Sequence, residues 1–236
     1  MITREYSQIG TVTYVHNSRA KRIILKIKPN ASVWVTLPPF AEVEKAEKFM
    51  LSRVDWIKKA QQKLSKKIHI PSLITDDCKL THFHTLSFKT HLLPKMSFDI
   101  DIDYKLTVLY PESISREHSM VQDYVALLRK QALRVDAYLY IEKRLEQLSR
   151  EYNFSFKSVR ITSARTRWGS CSHNNNINVS YFIMQLPFHL IDFVLIHELC
   201  HTIHKNHGKE FHELLNKCVD GKERDYSREL RQYSIV

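Results

Sequence analysis

The segment that constrains the fold most is the apolar run between Pro187 and His204. Its large apolar residues would cover a helix on nearly every side; they are Leu190, Ile191, Phe193, Val194, Leu195 and Ile196. A helix that is apolar all round has to be buried, because it has no face to offer to water. Pro187 suits its first turn, where a missing N–H costs little. We therefore expect the chain to pack around this helix.

Three ionisable side chains, His197, Glu198 and His201, interrupt this apolar run. Burial of such groups is costly unless a partner compensates for it. Residues four apart lie one turn apart on the same face, so His197 and His201 could bind one zinc ion at about 2.0–2.1 Å. Glu198 would lie beside the ion, where its carboxylate can accept a proton from water that zinc activates. This HExxH pattern predicts a hydrolytic metal centre.

A catalytic zinc site also needs a third protein ligand and an open fourth position. The nearby candidates are His204, His207, His212 and Glu213. His204 would lie about 10 Å along the helix axis from His197, too far to share an ion. His207 is flanked by Asn206 and Gly208, which tolerate a sharp reversal of the chain, so a turn could return it to the metal. Glu213 is the main alternative because carboxylates also bind zinc.

His204 and His212 are expected near the site or on the surface, and Cys200 is expected in the core.

A competing interpretation of the segment is a core helix whose histidines only form hydrogen bonds. It fits a lone histidine better than two at this spacing with an adjacent glutamate.

Composition bounds the partners and the compartment. The net charge of +11 favours anionic partners such as nucleic acid, nucleotides or acidic polypeptides, although a generally basic surface would give the same value. With four glycines, a Gly-rich phosphate loop is excluded. Four cysteines without paired spacing suit a reducing compartment. Neither a membrane-length apolar stretch nor an apolar N-terminal signal is visible, so we expect a cytoplasmic protein without membrane contact.

Periodicity along the chain predicts an α+β fold. Strands are predicted at 23–28 and 33–37, which would form a hairpin, and at 98–110, 158–161 and 177–183. Helices are predicted at 41–66, at 115–152 in one piece or two, and at 187–204, 208–219 and 223–233. A linker is predicted at 68–80. Residues 1–112 are therefore expected to form a strand-rich region with one inserted helix. Residues 113–236 are expected to form a mainly helical region with a small sheet. No internal repeat is evident.

Three blocks of the sequence resemble the YgjP-like, SprT-related family of metal-dependent hydrolases, which are usually described as zinc metallopeptidases. They are Arg167–Cys171 (RWGSC), His197–His201 with Asn206–Phe211, and Ser18–Ile23 with Val54–Ile57. Together they extend over nearly the whole chain. The resemblance implies a zincin-like catalytic region and favours His207 over Glu213 as the third ligand. It also implies that the Arg167–Cys171 block lies near the active site.

Two arginines beside that block are candidate substrate contacts. Arg165 and Arg167 could bind a carboxylate or a phosphate, since a guanidinium pairs with either in bidentate fashion. Alternatively, Trp168 packs in the core and the arginines merely cover it. Gly169, between two predicted strands, indicates a bulge or a close approach of another group to the backbone.

Two positions depart from the family pattern. The stretch Ser180–Phe182 replaces a frequent Asn-Trp-Arg, and His212 stands where a tryptophan often follows Phe211. The first change weakens any transfer of substrate contacts on that strand. Neither change affects the predicted ligands or the predicted base.

Three functions fit these observations. In a metallopeptidase, zinc polarises a peptide carbonyl and Glu198 activates the attacking water. A second possibility keeps the metal centre but hydrolyses a phosphoanhydride such as a nucleoside triphosphate, and Mg²⁺ would then join through the substrate. The third is a nucleic-acid-associated protein with a structural metal and a basic N-terminal half. It is disfavoured because structural zinc sites usually have four protein ligands.

Overall fold

A computed structural model describes residues 1–28, 31–65, 74–75 and 77–235. The chain divides into two compact units, Met1–His69 and Ile70–Val236. This division differs from the boundary predicted between residues 112 and 113, which falls inside the second unit. Strands dominate the N-terminal part and helices the C-terminal part, so the predicted α+β class is confirmed.

The first unit is a four-stranded sheet followed by two helices. Its elements are β1 (Ile2–Tyr6), β2 (Gly10–His16), β3 (Ile24–Ile27), β4 (Val33–Leu37), α1 (Val43–Leu51) and α2 (Val54–Ser65). The strand order is β1-β2-β4-β3, with β2 and β4 parallel and the other pairs antiparallel. The predicted hairpin is confirmed as β3 and β4, although residues 29–30 of its turn lie outside the described residues.

The single helix predicted at 41–66 is wrong, because the chain breaks it at residues 52–53. Ser52 ends α1, and its hydroxyl donates to the Phe49 carbonyl at 2.7 Å, a bond that competes with continued helix. On one face of β4, Val33, Val35 and Leu37 are buried. This face packs with buried residues of α1 and α2, which form the core of the unit.

The second unit begins with another four-stranded sheet and a long helix. Its elements are β5 (Cys78–Lys79), β6 (Thr85–His91), β7 (Ser97–Ile100), β8 (Lys105–Pro111) and α3 (Ser119–Glu151). The strand order β5-β6-β8-β7, with β6 and β8 parallel, repeats the topology of the first sheet. The sequence showed no such repeat. Helix α3 is continuous over 33 residues.

Two predictions in this part need correction. Most of the predicted linker at 68–80 lies outside the described residues, but its end forms β5. The alternation at 98–110 belongs to two strands, because the chain reverses after β7, where Asp101 accepts hydrogen bonds from the backbone of Asp103 and Lys105 at 3.0 and 2.9 Å. Phe98 and Ile100 are consequently exposed rather than facing a core.

A second hydrophobic core joins this sheet to α3. Leu106 and Val108 of β8 share it with Val121 and Val125 of α3. These residues lie on both sides of the predicted boundary at residue 112, which explains why the second unit is not divided there.

The rest of the second unit carries the apolar helix. Its elements are β9 (Ser158–Thr162), β10 (Gly169–Cys171), β11 (Asn176–Ser180), a short 3-10 helix (Tyr181–Gln185), α4 (Phe188–Cys200), α5 (Lys209–Cys218) and α6 (Glu223–Leu230). In the order β10-β11-β9, β10 pairs antiparallel and β9 parallel with β11. The strand predicted at 177–183 ends at Ser180, because the next residues form the buried 3-10 helix.

Helix α4 is buried as predicted, with nine residues in the core, but it ends at Cys200 rather than at residue 204. Its position on α3 is fixed by Arg144, whose guanidinium donates to both carboxylate oxygens of Asp192 at 2.8 and 2.7 Å. Within the described residues, no helix is both long enough and apolar enough to span a membrane.

Candidate metal centre

The imidazoles of His197, His201 and His207 converge on one point. The Nε2 atom of His207 lies 3.1 Å from that of His201 and 3.2 Å from that of His197. Three nitrogens in tetrahedral positions at about 2.0–2.1 Å from zinc would be separated by about 3.3 Å. The spacing of these side chains therefore fits a metal ion of this size.

The ring orientations fit metal binding as well. The second ring nitrogen of His201, Nδ1, lies 3.0 Å from the backbone carbonyl of His204. Because the carbonyl can only accept a hydrogen bond, Nδ1 carries the proton, and the lone pair of Nε2 is left to bind a metal ion. Burial, with smaller contributions from His201 and His207, lowers the pKa of His197 to about 4. Burial also lowers the pKa of His201. Both rings are thus neutral at neutral pH, the form that binds a metal.

The local chain path explains how His207 reaches the other two histidines. Helix α4 ends with His201 as its C-cap, and α5 begins after Gly208, which has extended backbone angles. The reversal uses no left-handed residue, since neither Asn206 nor Gly208 has a positive φ. The conformational freedom expected of these two residues is therefore not what makes the turn.

Phe211 forms the floor of the site, and sequence reasoning did not identify it. This fully buried ring on α5 stacks on His201 at a centroid distance of 4.5 Å. It also contacts the rings of His197 and His207 edge-on, at 5.0 and 4.8 Å. The only signal in the sequence was its place in the block Asn206–Phe211. Its packing restricts all three imidazoles to one arrangement.

Glu198 is buried beside the three histidines, with 5% of its surface exposed. Burial raises its pKa to about 7, while the charge of Arg167 and the backbone N–H of Cys171 act in the opposite direction. Its Oε2 atom has no hydrogen-bond partner among the described residues. A buried oxygen without a donor requires a partner outside the protein chain, such as water.

Strand β10 holds Glu198 in place. The N–H groups of Ser172 and Ser180 bond to Asn176 and Trp168 across the strand pair, at 2.9 and 2.8 Å. By alternation, the backbone of Gly169 and Cys171 faces away from β11. A Cβ atom at Gly169 would lie 2.7 Å from Oε1 of Glu198, so a larger residue there would force the Glu198 side chain to shift. The sequence indicated either a bulge or a close approach of another group at Gly169, and the structure shows the close approach.

The two candidate substrate arginines have different surroundings. Arg165 stacks over the Phe182 ring at 5.6 Å. Arg167 lines a cavity of about 180 Å³ together with Trp168 and Asn178, close enough to Glu198 to influence its pKa. Trp168 packs against the core beneath, as in the structural interpretation of this block.

The other candidate ligands point elsewhere. The His204 ring pairs with Glu210 at 3.5 Å, so only the backbone carbonyl of His204 supports the site. The exposed Glu213 pairs with Lys209 at 3.5 Å. Among the described residues, the cluster suited to a metal consists of His197, His201 and His207 alone. Cys200 is fully buried in the core beneath them.

A basic groove of about 980 Å³ begins next to the histidine cluster, between α5 and α6. His212 lines it; its ring centroid lies 6.3 Å from that of His207, and its Nδ1 lies 2.6 Å from a Glu223 oxygen. The cations of the groove are Lys209, Arg224, Arg228 and Arg231. In the part of the chain that the structure describes, Arg224 and Arg231 have no carboxylate within 4 Å. The groove can therefore accept carboxylates from outside.

Two solved structures are similar to part of this chain. A crystal structure of the Pyrococcus abyssi abylysin zymogen, a metallopeptidase, is 21% identical, covers 41% of this chain and 99% of its own, and has a TM-score of 0.36. A crystal structure of the Methanocaldococcus jannaschii jannalysin zymogen, also a metallopeptidase, is 19% identical. It covers 39% of this chain and 94% of its own, with a TM-score of 0.36. No curated protein matches.

The family comparison is more extensive than these structural likenesses. The model of the YgjP-like metallopeptidase domain matches residues 21–233, which is most of the chain. The match includes the histidine cluster, Glu198 and the Arg167–Cys171 block, so the resemblance seen in the sequence is confirmed. The chain belongs to the YgjP-like family of metallopeptidases.

Proposed function

We propose that this metallopeptidase is zinc-dependent, with His197, His201 and His207 as the metal ligands and Glu198 as the general base. The observation that supports this most is the convergence of the three imidazoles, in which the Nε2 atom of His207 lies 3.1 Å from that of His201 and 3.2 Å from that of His197. Three nitrogen ligands suit zinc in preference to the hard, oxygen-seeking Mg²⁺. When bound, zinc would polarise a peptide carbonyl and acidify a water molecule.

The protein's own residues support the proton transfer. Glu198 holds an oxygen without a donor, and its pKa of about 7 matches a base that works near neutral pH. Gly169 and the Cys171 N–H fix the carboxylate on one side, which leaves the other oxygen to accept the proton of the attacking water. The same carboxyl group can then protonate the leaving amine.

The groove between α5 and α6 supports a preference for acidic peptides. Its arginines and lysine provide more positive than negative charge, and it starts two residues from the ligand His207 at Lys209. Extended peptides advance about 3.3 Å per residue, so a side chain a few residues from the cleaved bond would reach it. The comparisons lend no support to a nucleotide or nucleic-acid substrate, or to Mg²⁺.

A screen of the purified, zinc-loaded chain tests the proposal. Pools of acidic, neutral and basic peptides would be offered in parallel with nucleoside triphosphates, and cleavage followed by mass spectrometry. We expect peptide cleavage, fastest for the acidic pool, which stops when the metal is chelated and returns with zinc. Hydrolysis of triphosphates without peptide cleavage would contradict the proposal.

The cysteines of the described residues form no disulfide, which fits a reducing compartment, and a cytoplasmic location remains a prediction.

A further inference from the structure

The first unit carries an exposed groove that has no part in the metal centre. Residues 23–25, which include the start of β3, form one wall, and Phe49 and Trp56 of the two helices form the other. Arg22 and Arg53 also line this groove, whose volume is about 500 Å³. Phe49 and Trp56 remain 36% and 50% exposed. Large aromatic rings left open in one groove are typical of a binding surface.

The wall formed by β3 is an open sheet edge. In the order β1-β2-β4-β3, no described strand pairs with the outer side of β3. Lys28 donates its N–H to the Ser32 carbonyl at 2.9 Å. The register therefore makes Lys26 and Ile24 hydrogen-bonded partners of β4 as well, with their N–H and C=O groups directed toward that strand. By alternation, the N–H and C=O groups of Leu25 and Ile27 point outward. No described residue bonds to them, so the edge can template another strand.

The chemistry of the walls defines what fits. Backbone groups in this spacing are matched by the backbone of an extended polypeptide, whereas neither a lipid nor a nucleic acid offers alternating N–H and C=O groups. The apolar rings suit every second side chain of that strand. Arg22 and Arg53 have no carboxylate within 4 Å among the described residues, which leaves both free to bind acidic side chains.

Two sequence blocks that the metal centre does not use meet at this groove. Ser18–Ile23 and Val54–Ile57 are about thirty residues apart and carry part of the family resemblance. The structure brings Arg22 and Ile23 of the first block to the same groove as Trp56 of the second.

We propose that this groove binds an extended, acidic and apolar polypeptide segment, which adds a strand to β3. Alternate apolar side chains of the segment lie against Phe49 and Trp56, and flanking carboxylates bind Arg22 and Arg53. The site is independent of the metal centre, so it binds polypeptide whether or not the chain cleaves it.

Fluorescence polarisation of a labelled peptide, Asp-Ile-Glu-Val-Asp-Ile-Glu, tests this site on the full-length Glu198→Gln chain without metal, which prevents cleavage. We expect saturable binding that weakens with salt, and a loss of about tenfold or more in affinity on Trp56→Ala. Trp34→Ala is the matched control, because Trp34 lies on the other face of β4 under Lys28. Circular dichroism would verify that both variants are folded.

Backbone pairing has its own test. N-methylation of every second residue of the peptide should abolish binding in one set of positions and spare it in the other, because only alternate N–H groups face β3. Equal binding of both sets, no binding at all, or an unchanged affinity in Trp56→Ala would overturn the proposal. So would a single-stranded oligonucleotide that displaces the peptide, or a dimer of the chain that Trp56→Ala dissociates.

Discussion

At the scale of single residues, Glu198 carries the most specific role. Replacing it by glutamine keeps the size of the side chain and removes the carboxylate that we propose as the base. We expect Glu198→Gln to lower kcat on a cleaved peptide by about 10²–10⁴, the usual contribution of a general base, with zinc content unchanged. Steady-state kinetics together with metal analysis measure both quantities. Full activity in a zinc-loaded variant would show that another group is the base.

Among the three proposed metal ligands, His207 was the hardest to derive from the sequence. We expect His207→Ala to weaken zinc binding strongly, because two imidazoles from α4 cannot hold the ion as three do. Competition with a chromophoric chelator measures the affinity. The controls His204→Ala and Glu213→Ala should bind zinc nearly as the native chain does, since neither side chain reaches the cluster. Loss of zinc in Glu213→Ala alone would reverse the assignment.

The raised pKa of Glu198 also predicts how the metal-free chain depends on pH. Its pKa is about 7 in the folded chain against 4.5 as the ordinary value, so unfolding releases a proton between these two pH values. The free energy of unfolding that Glu198 contributes must therefore fall as the pH rises through this window, by about 3 kcal/mol in total.

Urea unfolding of the metal-free native chain and Glu198→Gln, at pH 4.5 to 8, isolates this contribution. The difference in unfolding free energy, native minus variant, should decrease up to about pH 7 and then level off. His197, whose lowered pKa acts in the opposite sense, is present in both chains and largely cancels. A difference that does not vary with pH would rule out the raised pKa.

At the scale of elements, the short strand β10 positions the proposed base, because Gly169 lies against the Glu198 side chain on α4. We expect Gly169→Ala to displace Glu198, because the new Cβ would lie 2.7 Å from Oε1 and 2.8 Å from Cγ. The measured result should be a large fall in kcat with zinc still bound.

Gly208→Ala is the matched control for this variant. It lies beside the ligand His207, yet a Cβ there meets nothing within 4 Å, and its φ of −79° suits any residue. It should keep most of its activity. Equal losses in both variants would mean that the contact between β10 and Glu198 is unimportant.

The elements also show what the sequence could predict. The buried helix α4, the hairpin of β3 and β4 and the helical C-terminal end followed from periodicity, because local pattern and burial agree there. The end of helix α4 was predicted four residues too late, and α1 and α2 were predicted as one helix. Both errors are at helix ends, which depend on single capping contacts such as that of Ser52.

Other features depend on contacts between distant parts of the chain. Strand β10 has three residues, too few for a periodic signal, and exists because it lies between β11 and α4. The buried pair of His84 and Asp136, 2.7 Å apart, joins the start of β6 to α3. The floor of the metal centre, Phe211, looked like any apolar residue of an amphipathic helix. Local sequence patterns could not predict the strand β10, the pair of His84 and Asp136, or the position of Phe211.

At the scale of the whole molecule, two sheets of the same topology precede one catalytic region. The order β1-β2-β4-β3 recurs as β5-β6-β8-β7, and helices pack on both sheets: α1 and α2 on the first, α3 on the second. Among the described residues, the first unit contributes none to the histidine cluster, and its open edge and groove carry the proposed polypeptide-binding site. Part of the net charge of +11 is concentrated in two grooves, one in each unit, and each groove is lined by arginines that can bind carboxylates.

A crystal structure of the zinc-loaded chain, with anomalous data at the zinc edge, tests the metal centre most directly. We expect one ion per chain, bound at about 2.0–2.1 Å by the Nε2 atoms of His197, His201 and His207, with no fourth protein ligand. An ion held elsewhere, or a fourth protein ligand that closes the site, would contradict a catalytic zinc at this position.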